Sequence, residues 1–225
     1  AMNDLIVHRG PDDQGSYFGD TFAFGHRRLS IIDLSPKGRQ PMEFLDRYVI
    51  TYNGEVYNYL ELKQELLKDG YVFDSETDTE VILACYDKWG ASCVSHFNGM
   101  WAFAIWDDRN KKLFLSRDRF SEKPLYYFKD NDGFYFASEI KAIQSLLQKQ
   151  LQINYDHLKR YLVYGYKFLY KTTQTYFHGI REIEYASNAT LDYDINFTQS
   201  KYWKPGNNIK EMTLVEAVEG TRHHL

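Results

Sequence analysis

Four short segments of this chain put polar side chains at strand ends or helix starts, where a ligand can reach them. They are His8-Arg9-Gly10-Pro11-Asp12, the stretch HRRLSIID from His26 to Asp33, Asn53-Gly54-Glu55, and Thr77-Asp78. Between them they offer guanidinium, imidazole, carboxylate and primary amide groups, which hold charged and polar ligand atoms by ion pairing and hydrogen bonding. Each segment taken singly also has an ordinary structural explanation. Gly-Pro-Asp is common turn chemistry, Asn-Gly is the strongest short hairpin signal, and Thr77-Asp78 suits a helix N-cap. Arg28 ahead of an apolar run suits a surface arginine whose stem lies on apolar neighbours while its charge stays in water.

The elements that must position these groups can be read from periodicity. Ser16 to Asp33 alternates and then runs apolar, which predicts a hairpin-like pair with Arg27 and Arg28 at the mouth of a buried strand; Tyr48 to Tyr52 predicts a strand ending at Asn53-Gly54. Leu60, Leu62, Leu66 and Leu67 recur at near-helical spacing before Asp69-Gly70. A second helix runs from an N-cap at Asp78 or Thr79 to Gly90, with Val81, Ile82, Cys85, Tyr86 and Trp89 on one side. Two hairpins follow, Met100–Asp107 with Lys112–Ser116 and Leu125–Phe128 with Phe134–Ala137. Beyond them lie helical stretches at Glu139–Leu147 and Tyr155–Val163 and a strand at Ile183–Leu191. Lys204 to Asn208 reads as a linker, and Leu214–Leu225 begins a further helix. Strands outnumber helices, and their hairpin spacing implies antiparallel pairing in an α+β fold.

Bulk properties exclude several classes. A length of 225 residues is ample for a two-layer core. Net charge is -4 with the basic residues dispersed, which argues against nucleic acid as a partner. The two cysteines, Cys85 and Cys93, form neither a CxxC pair nor a His/Cys cluster, so no disulfide framework or zinc site is expected, and a reducing, cytoplasmic setting fits best. No apolar run approaches a membrane span. Aromatic content is 17%, which favours strands packed on both faces.

In this order the four segments resemble the N-terminal glutaminase domain of glutamine-hydrolysing asparagine synthetases, a class II glutamine amidotransferase. Further segments agree: Phe97 to Ala104 (FNGMWAFA), Ser116 to Phe120 (SRDRF) with Lys123 to Tyr127 (KPLYY), and Phe136 to Ala142 (FASEIKA). The resemblance covers about His8 to Pro205. It implies a four-layer αββα sandwich of antiparallel sheets, the N-terminal-nucleophile hydrolase fold, with residues 1–205 as the glutaminase domain and 206–225 as a linker and the start of a synthetase domain.

The resemblance also implies roles. Arg28 would hold the α-carboxylate of glutamine, a planar bidentate task suited to guanidinium, and Leu29, Ser30, Ile31 and Ile32 would form the adjoining wall. Asp78, assisted by Glu55, would counter the α-ammonium. The Asn53 side-chain amide and the Gly54 backbone N–H would stabilise the oxyanion, and glycine at position 54 would let the backbone approach the substrate.

The family's nucleophile, a cysteine at the mature N-terminus, lies upstream of the HRGPD segment, whereas Ala1 stands seven residues before His8. The expectation is therefore a domain without its first strand and helix, with an exposed sheet edge, and inactive alone. Cys85, on an apolar helix side, and Cys93 are expected to be inert core thiols. No cofactor is expected in this chain. ATP and magnesium would belong to the synthetase domain, whose SGGxDS loop is not in the sequence. Ser121 and the stretch Ile183 to Ser187 depart from the family pattern, which has glycine and an LPPG-like run there. Partners would be glutamine, the synthetase domain and a second copy in a homo-oligomer. Two alternatives stay open: a glutamine-binding or docking module without a nucleophile, and an amidotransferase with another acceptor, such as a sugar carboxylate.

Overall fold

The computed structural model describes residues 2–147, 150–165, 172–206 and 211–224. Its centre is a six-stranded antiparallel sheet built from β3 (Met42–Phe44), β4 (Tyr48–Val56), β5 (Gly99–Asp107), β6 (Lys112–Arg117), β10 (Ser187–Leu191) and β11 (Phe197–Lys201), in the order β11-β10-β6-β5-β4-β3. Side chains alternate across a strand, so each central strand serves two layers. Tyr48, Ile50, Tyr52 and Val56 of β4 join Trp101, Phe103 and Ile105 of β5 beneath two helices, α2 (Tyr59–Lys68) and α3 (Asp78–Trp89). Val49 of β4 and Ala102, Ala104 and Trp106 of β5 face the opposite way.

On that second side lie a hairpin, β1 (Asp13–Phe18) with β2 (Ala23–Arg28), and a three-stranded sheet, β7 (Tyr126–Lys129), β8 (Phe134–Ala137) and β9 (Ile180–Glu182), ordered β8-β7-β9. Phe24, Leu125 and Ile183 pack there against the alanines of β5. Helix α4 (Ile140–Leu147) covers the outer face of the three-stranded sheet through Ile143, against Phe128 and Ile180. The layers are therefore helix, sheet, sheet, helix. A short helix α1 (Met2–Leu5) lies against α4 and β2; α5 (Tyr155–Tyr164) and α6 (Leu214–His224) complete the described elements. Among the described residues, β2 and β8 each have a strand partner on one side only, which leaves two open edges joined by an edge-to-face contact of Phe24 and Phe136 at 5.7 Å.

Several elements differ from their sequence-based expectation. β2 stops at Arg28 and residues 29–35 form a loop in which Leu29, Ile31 and Leu34 are exposed, so the apolar run is not a buried strand. Asn53-Gly54 is no hairpin turn: β4 continues to Val56, with Asn53 opposite Ala102 and Gly54 opposite Trp101. The N-cap of α3 is Thr77, whose hydroxyl accepts the Glu80 N–H at 3.3 Å. In α2 only Leu62 and Leu66 of the four leucines are buried, because the other two fall outside the stripe facing the sheet. The strand expected over Ile183–Leu191 begins at Ser187, and β3, β9, β11 and α1 are additional. The expected linker at Lys204 to Asn208 lies outside the described residues at 207 and 208, as does Leu225.

Candidate active site

The odd-numbered face of β4 presents Thr51, Asn53 and Glu55 toward the second layer, where β5 places only Ala104 and Ala102 beside the first two. Those short side chains leave space. The result is a cavity of about 1390 Å³ whose lining includes Arg28, Leu29, Ile31, Ile32, Asn53, Gly54, Glu55 and Asp78. Eight of the nine residues singled out in the sequence thus share one cavity. Ser30 does not line it; its N–H is taken by the Asp12 carboxylate at 2.7 Å.

Asn53 Nδ2 is buried and has no hydrogen-bond partner, one of two such side-chain atoms among the described residues. Burying a donor unpaired costs about 1–3 kcal/mol, and such a group at a cavity wall is poised for an acceptor that enters the cavity. Gly54 is explained differently from the expectation. A Cβ there would collide with the Met100 carbonyl oxygen and come within 2.8 Å of Trp101 Cα. The constraint is the neighbouring strand, not access of a ligand to the backbone.

The carboxylates lie at one end. Asp78 Oδ2 accepts from the Tyr52 hydroxyl at 2.8 Å and from the Val56 N–H at 2.9 Å. Burial pushes the Asp78 carboxyl above its ordinary range, those two bonds oppose the shift, and the nearby Glu55 charge adds to it. A cation entering here would relieve both carboxylates.

Arg28 is buried at 8% exposure, so it is no surface arginine. Its Nη1 donates to the Ser35 carbonyl at 3.1 Å and its Nη2 to the carbonyls of Ile32 and Asp33, which engages three of its five N–H donors and closes the 29–35 loop. The loop and the N-terminus of α3 meet over Gly38, where a Cβ would strike the Arg28 guanidinium and stand 2.9 Å from Thr77 Cγ2. Beside Arg28, burial and the guanidinium charge drive the His26 imidazole down to about 4, so it is neutral near pH 7; its Nδ1 is 3.4 Å from Thr51 Oγ1.

The remaining motifs act as supports. His8 and Arg9 sit in a 3₁₀ turn, Val7–Arg9, and meet the Glu139 carboxylate at 2.8 and 3.5 Å, which joins the HRGPD segment to FASEIKA. Asp12 donates its N–H to the Arg28 carbonyl at 3.0 Å. Asp118 gathers the N–H groups of Trp101, Phe120, Glu122 and Lys123, and Arg117 reaches Glu182 and the carbonyls of Lys123 and Ile183. The two departures from the family pattern both hold left-handed backbone, Ser121 at φ +59° and Ala186 at φ +51°, a conformation that glycine adopts without a Cβ penalty. Cys85 and Cys93 are buried, and desolvation raises both thiols far above the ordinary range. Sequence reasoning missed Gln40, Thr51, Tyr52 and the cavity role of His26. Only the Tyr-Asn-Gly-Glu continuity could have flagged Tyr52, and nothing local flags Gln40.

No helix among the described residues is long and apolar enough to cross a membrane. A family model for a glutamine amidotransferase domain matches residues 1–203. The chain is 40% identical over 204 residues to asparagine synthetase [glutamine-hydrolyzing] 1 of Bacillus subtilis, which covers 90% of this chain and 32% of that protein. It is 44% identical over 186 residues to putative asparagine synthetase [glutamine-hydrolyzing] 2 of Methanocaldococcus jannaschii, covering 73% and 36% respectively. The chain spans about a third of the length of these curated relatives. The glutamine phosphoribosylpyrophosphate amidotransferase of B. subtilis superimposes with a TM-score of 0.58 at 18% identity over 81% of this chain and 35% of that one. At that identity the likeness concerns the fold, the antiparallel α+β sandwich described above. The match over residues 1–203 establishes that this chain belongs to the family of glutamine amidotransferase domains.

Proposed function

We propose that the chain is the glutamine-hydrolysing part of an asparagine-synthetase-like enzyme, with glutamine bound in the cavity between the two sheets. The observation that carries this reading is the buried, partnerless Asn53 Nδ2 at the wall of a cavity whose lining includes the Arg28 guanidinium and the Glu55 and Asp78 carboxylates. Glutamine is a zwitterion with a neutral terminal amide. Its ammonium suits the Asp78 and Glu55 end, its carboxylate suits Arg28, and its side-chain carbonyl suits Asn53 Nδ2 and the Gly54 N–H. As the amide carbon becomes tetrahedral, charge grows on that oxygen. One donor aimed there lowers the barrier by about 3–4 kcal/mol.

Hydrolysis consumes water and releases glutamate and ammonia. The attacking group is not one of the two cysteines of these residues, since both are buried with raised thiol pKa. The family resemblance implies an upstream N-terminal cysteine whose α-amine carries the proton. A polypeptide of these 225 residues alone would then release no glutamate, and an upstream extension bearing that cysteine would restore turnover. In the longer protein, ammonia would pass to a synthetase domain that activates aspartate with ATP and magnesium; the family match ending at residue 203 supports a domain boundary near residue 205. Calorimetric titration of the chain with L-glutamine tests the site. Saturable binding that Arg28→Ala weakens at least tenfold is the expected result, and equal affinity in the two proteins would remove the reading.

A further inference from the structure

Gln40 is buried, at 7% exposure. Its side-chain carbonyl Oε1 accepts the Tyr52 N–H at 2.7 Å, and its Nε2 lies 3.4 Å from Thr79 Oγ1. Tyr52 immediately precedes Asn53, and Thr79 immediately follows Asp78. A third element arrives at the same point: a Cβ on Gly15 of β1 would overlap the Gln40 backbone carbonyl, and β1 pairs along its length with β2, which ends in Arg28. Two carriers of the cavity's polar groups, β4 and α3, therefore meet at the Gln40 side chain, while β1, the partner of β2, packs against its backbone.

The backbone explains why a side chain is needed. β3 pairs with β4 only from Met42 opposite Ile50 to Phe44 opposite Tyr48. Extending that register would bring residue 40 opposite Tyr52, yet the ladder has ended and the Tyr52 N–H needs another acceptor. The Gln40 amide takes over the ladder contact at Tyr52, and its other end reaches across to α3. Tyr52 closes the loop from the opposite direction, because its hydroxyl donates to Asp78 at 2.8 Å.

We propose that Gln40 is a positioning residue that fixes the span between the Asn53 amide and the Asp78 carboxylate, and thereby selects the side-chain length of the amino acid amide bound between them. This rests on the glutamine reading above. Gln40 touches no reacting atom; it sets the distance between two groups that do. Asparagine presents the same ammonium, carboxylate and amide with one methylene fewer, so a fixed span favours glutamine and a slack one discriminates less.

The test is calorimetric titration of the full chain with L-glutamine and with L-asparagine, alongside thermal melting. Gln40→Met keeps length and volume but removes both tethers. Its dissociation constant for glutamine should rise about tenfold, as expected for sub-ångström misplacement, and its preference for glutamine over asparagine should fall about threefold or more. Thr79→Val, isosteric at the cavity lining, keeps the Tyr52 tether, removes the tether to α3 and should shift the preference in the same direction by a smaller factor. A folded Gln40→Met protein with lowered melting temperature but unchanged preference would mean a purely structural role and overturn the proposal. Should Gln40→Met not fold, an unchanged preference in Thr79→Val overturns it equally. If the unaltered chain binds no glutamine, the site reading itself fails and this inference with it; binding with a preference indifferent to both substitutions removes this inference alone.

Discussion

The two faces of β4 and β5 are made by the same residues of backbone and differ in what they face. Toward α2 and α3, Tyr48, Ile50, Tyr52 and Val56 interlock with Trp101, Phe103 and Ile105, and these seven side chains are at most 4% exposed. Toward the second layer the same strands show Thr51, Asn53 and Glu55 beside Ala102 and Ala104, and the space stays open. One face is filled and has its polar groups matched, as with Trp101 Nε1 donating to Ser116 Oγ at 3.0 Å. The other keeps a donor without an acceptor. The difference teaches that stability and chemistry are divided by strand pleat: the filled face holds the sheet rigid, and the rigid sheet is what makes an unpaired amide tolerable on its reverse.

The contrast breaks most visibly at Trp101. Removing this fully buried ring in Trp101→Ala should cost about 3–5 kcal/mol of stability, read by denaturant unfolding; a loss below about 1 kcal/mol would mean that the helix-covered face is not the stabilising one. On the reverse face Asn53→Ala should do the opposite. In a polypeptide extended upstream to carry the nucleophile, glutamine turnover should fall by a barrier of about 3–4 kcal/mol, while unfolding free energy should not fall and should rise by up to about 1–3 kcal/mol, since the burial cost of an unpaired donor is removed. Comparable losses in both measurements would show that Asn53 is a structural amide.

A pH titration of stability sharpens the same comparison. His26, on the cavity side, has a folded-state value of about 4 against an ordinary 6.5, so between those values the unfolded chain binds a proton that the folded chain refuses. Stability therefore falls as pH drops from about 6.5 toward 4, by on the order of 2 kcal/mol after discounting for partial exposure. Asp78, whose value is raised, works in the opposite direction. The slope difference between the parent protein and His26→Gln isolates the histidine, and identical slopes would contradict its burial as a neutral ring. The smallest effects lie outside both faces. Ser121→Gly and Ala186→Gly release left-handed backbone and should each stabilise by about 0.5–1 kcal/mol, net of the entropy that glycine adds to the unfolded chain. Destabilisation by Ser121→Gly would indicate that its side chain contributes a contact that outweighs the strain.

Much of the site was legible because charged and amide side chains are identifiable by type and order. Arg28, Asn53, Glu55 and Asp78 come from three of the four segments, are singled out through the family resemblance, and line one cavity. Their local settings were not legible. Asn53-Gly54 carries a turn signal, yet it lies mid-strand because β5 pairs with it on one side. Ser30 falls in the same motif as Arg28 but does not line the cavity, and its backbone N–H is bonded to Asp12. Gln40 left no trace, because its partners at positions 52 and 79 are distant along the chain.

By itself the sequence determined that β4 and β5 are strands, that a helix follows Thr77 and ends at Gly90, the inert character of its two cysteines and the inventory of charges, all of which depend on local patterns or on side-chain chemistry alone. Tertiary structure decided which inventory members meet, why position 54 excludes a Cβ, where Arg28 directs its donors and how the span from Asn53 to Asp78 is held. Those outcomes depend on the distance between strands and helices far apart in the chain, and that distance is fixed only when the layers pack.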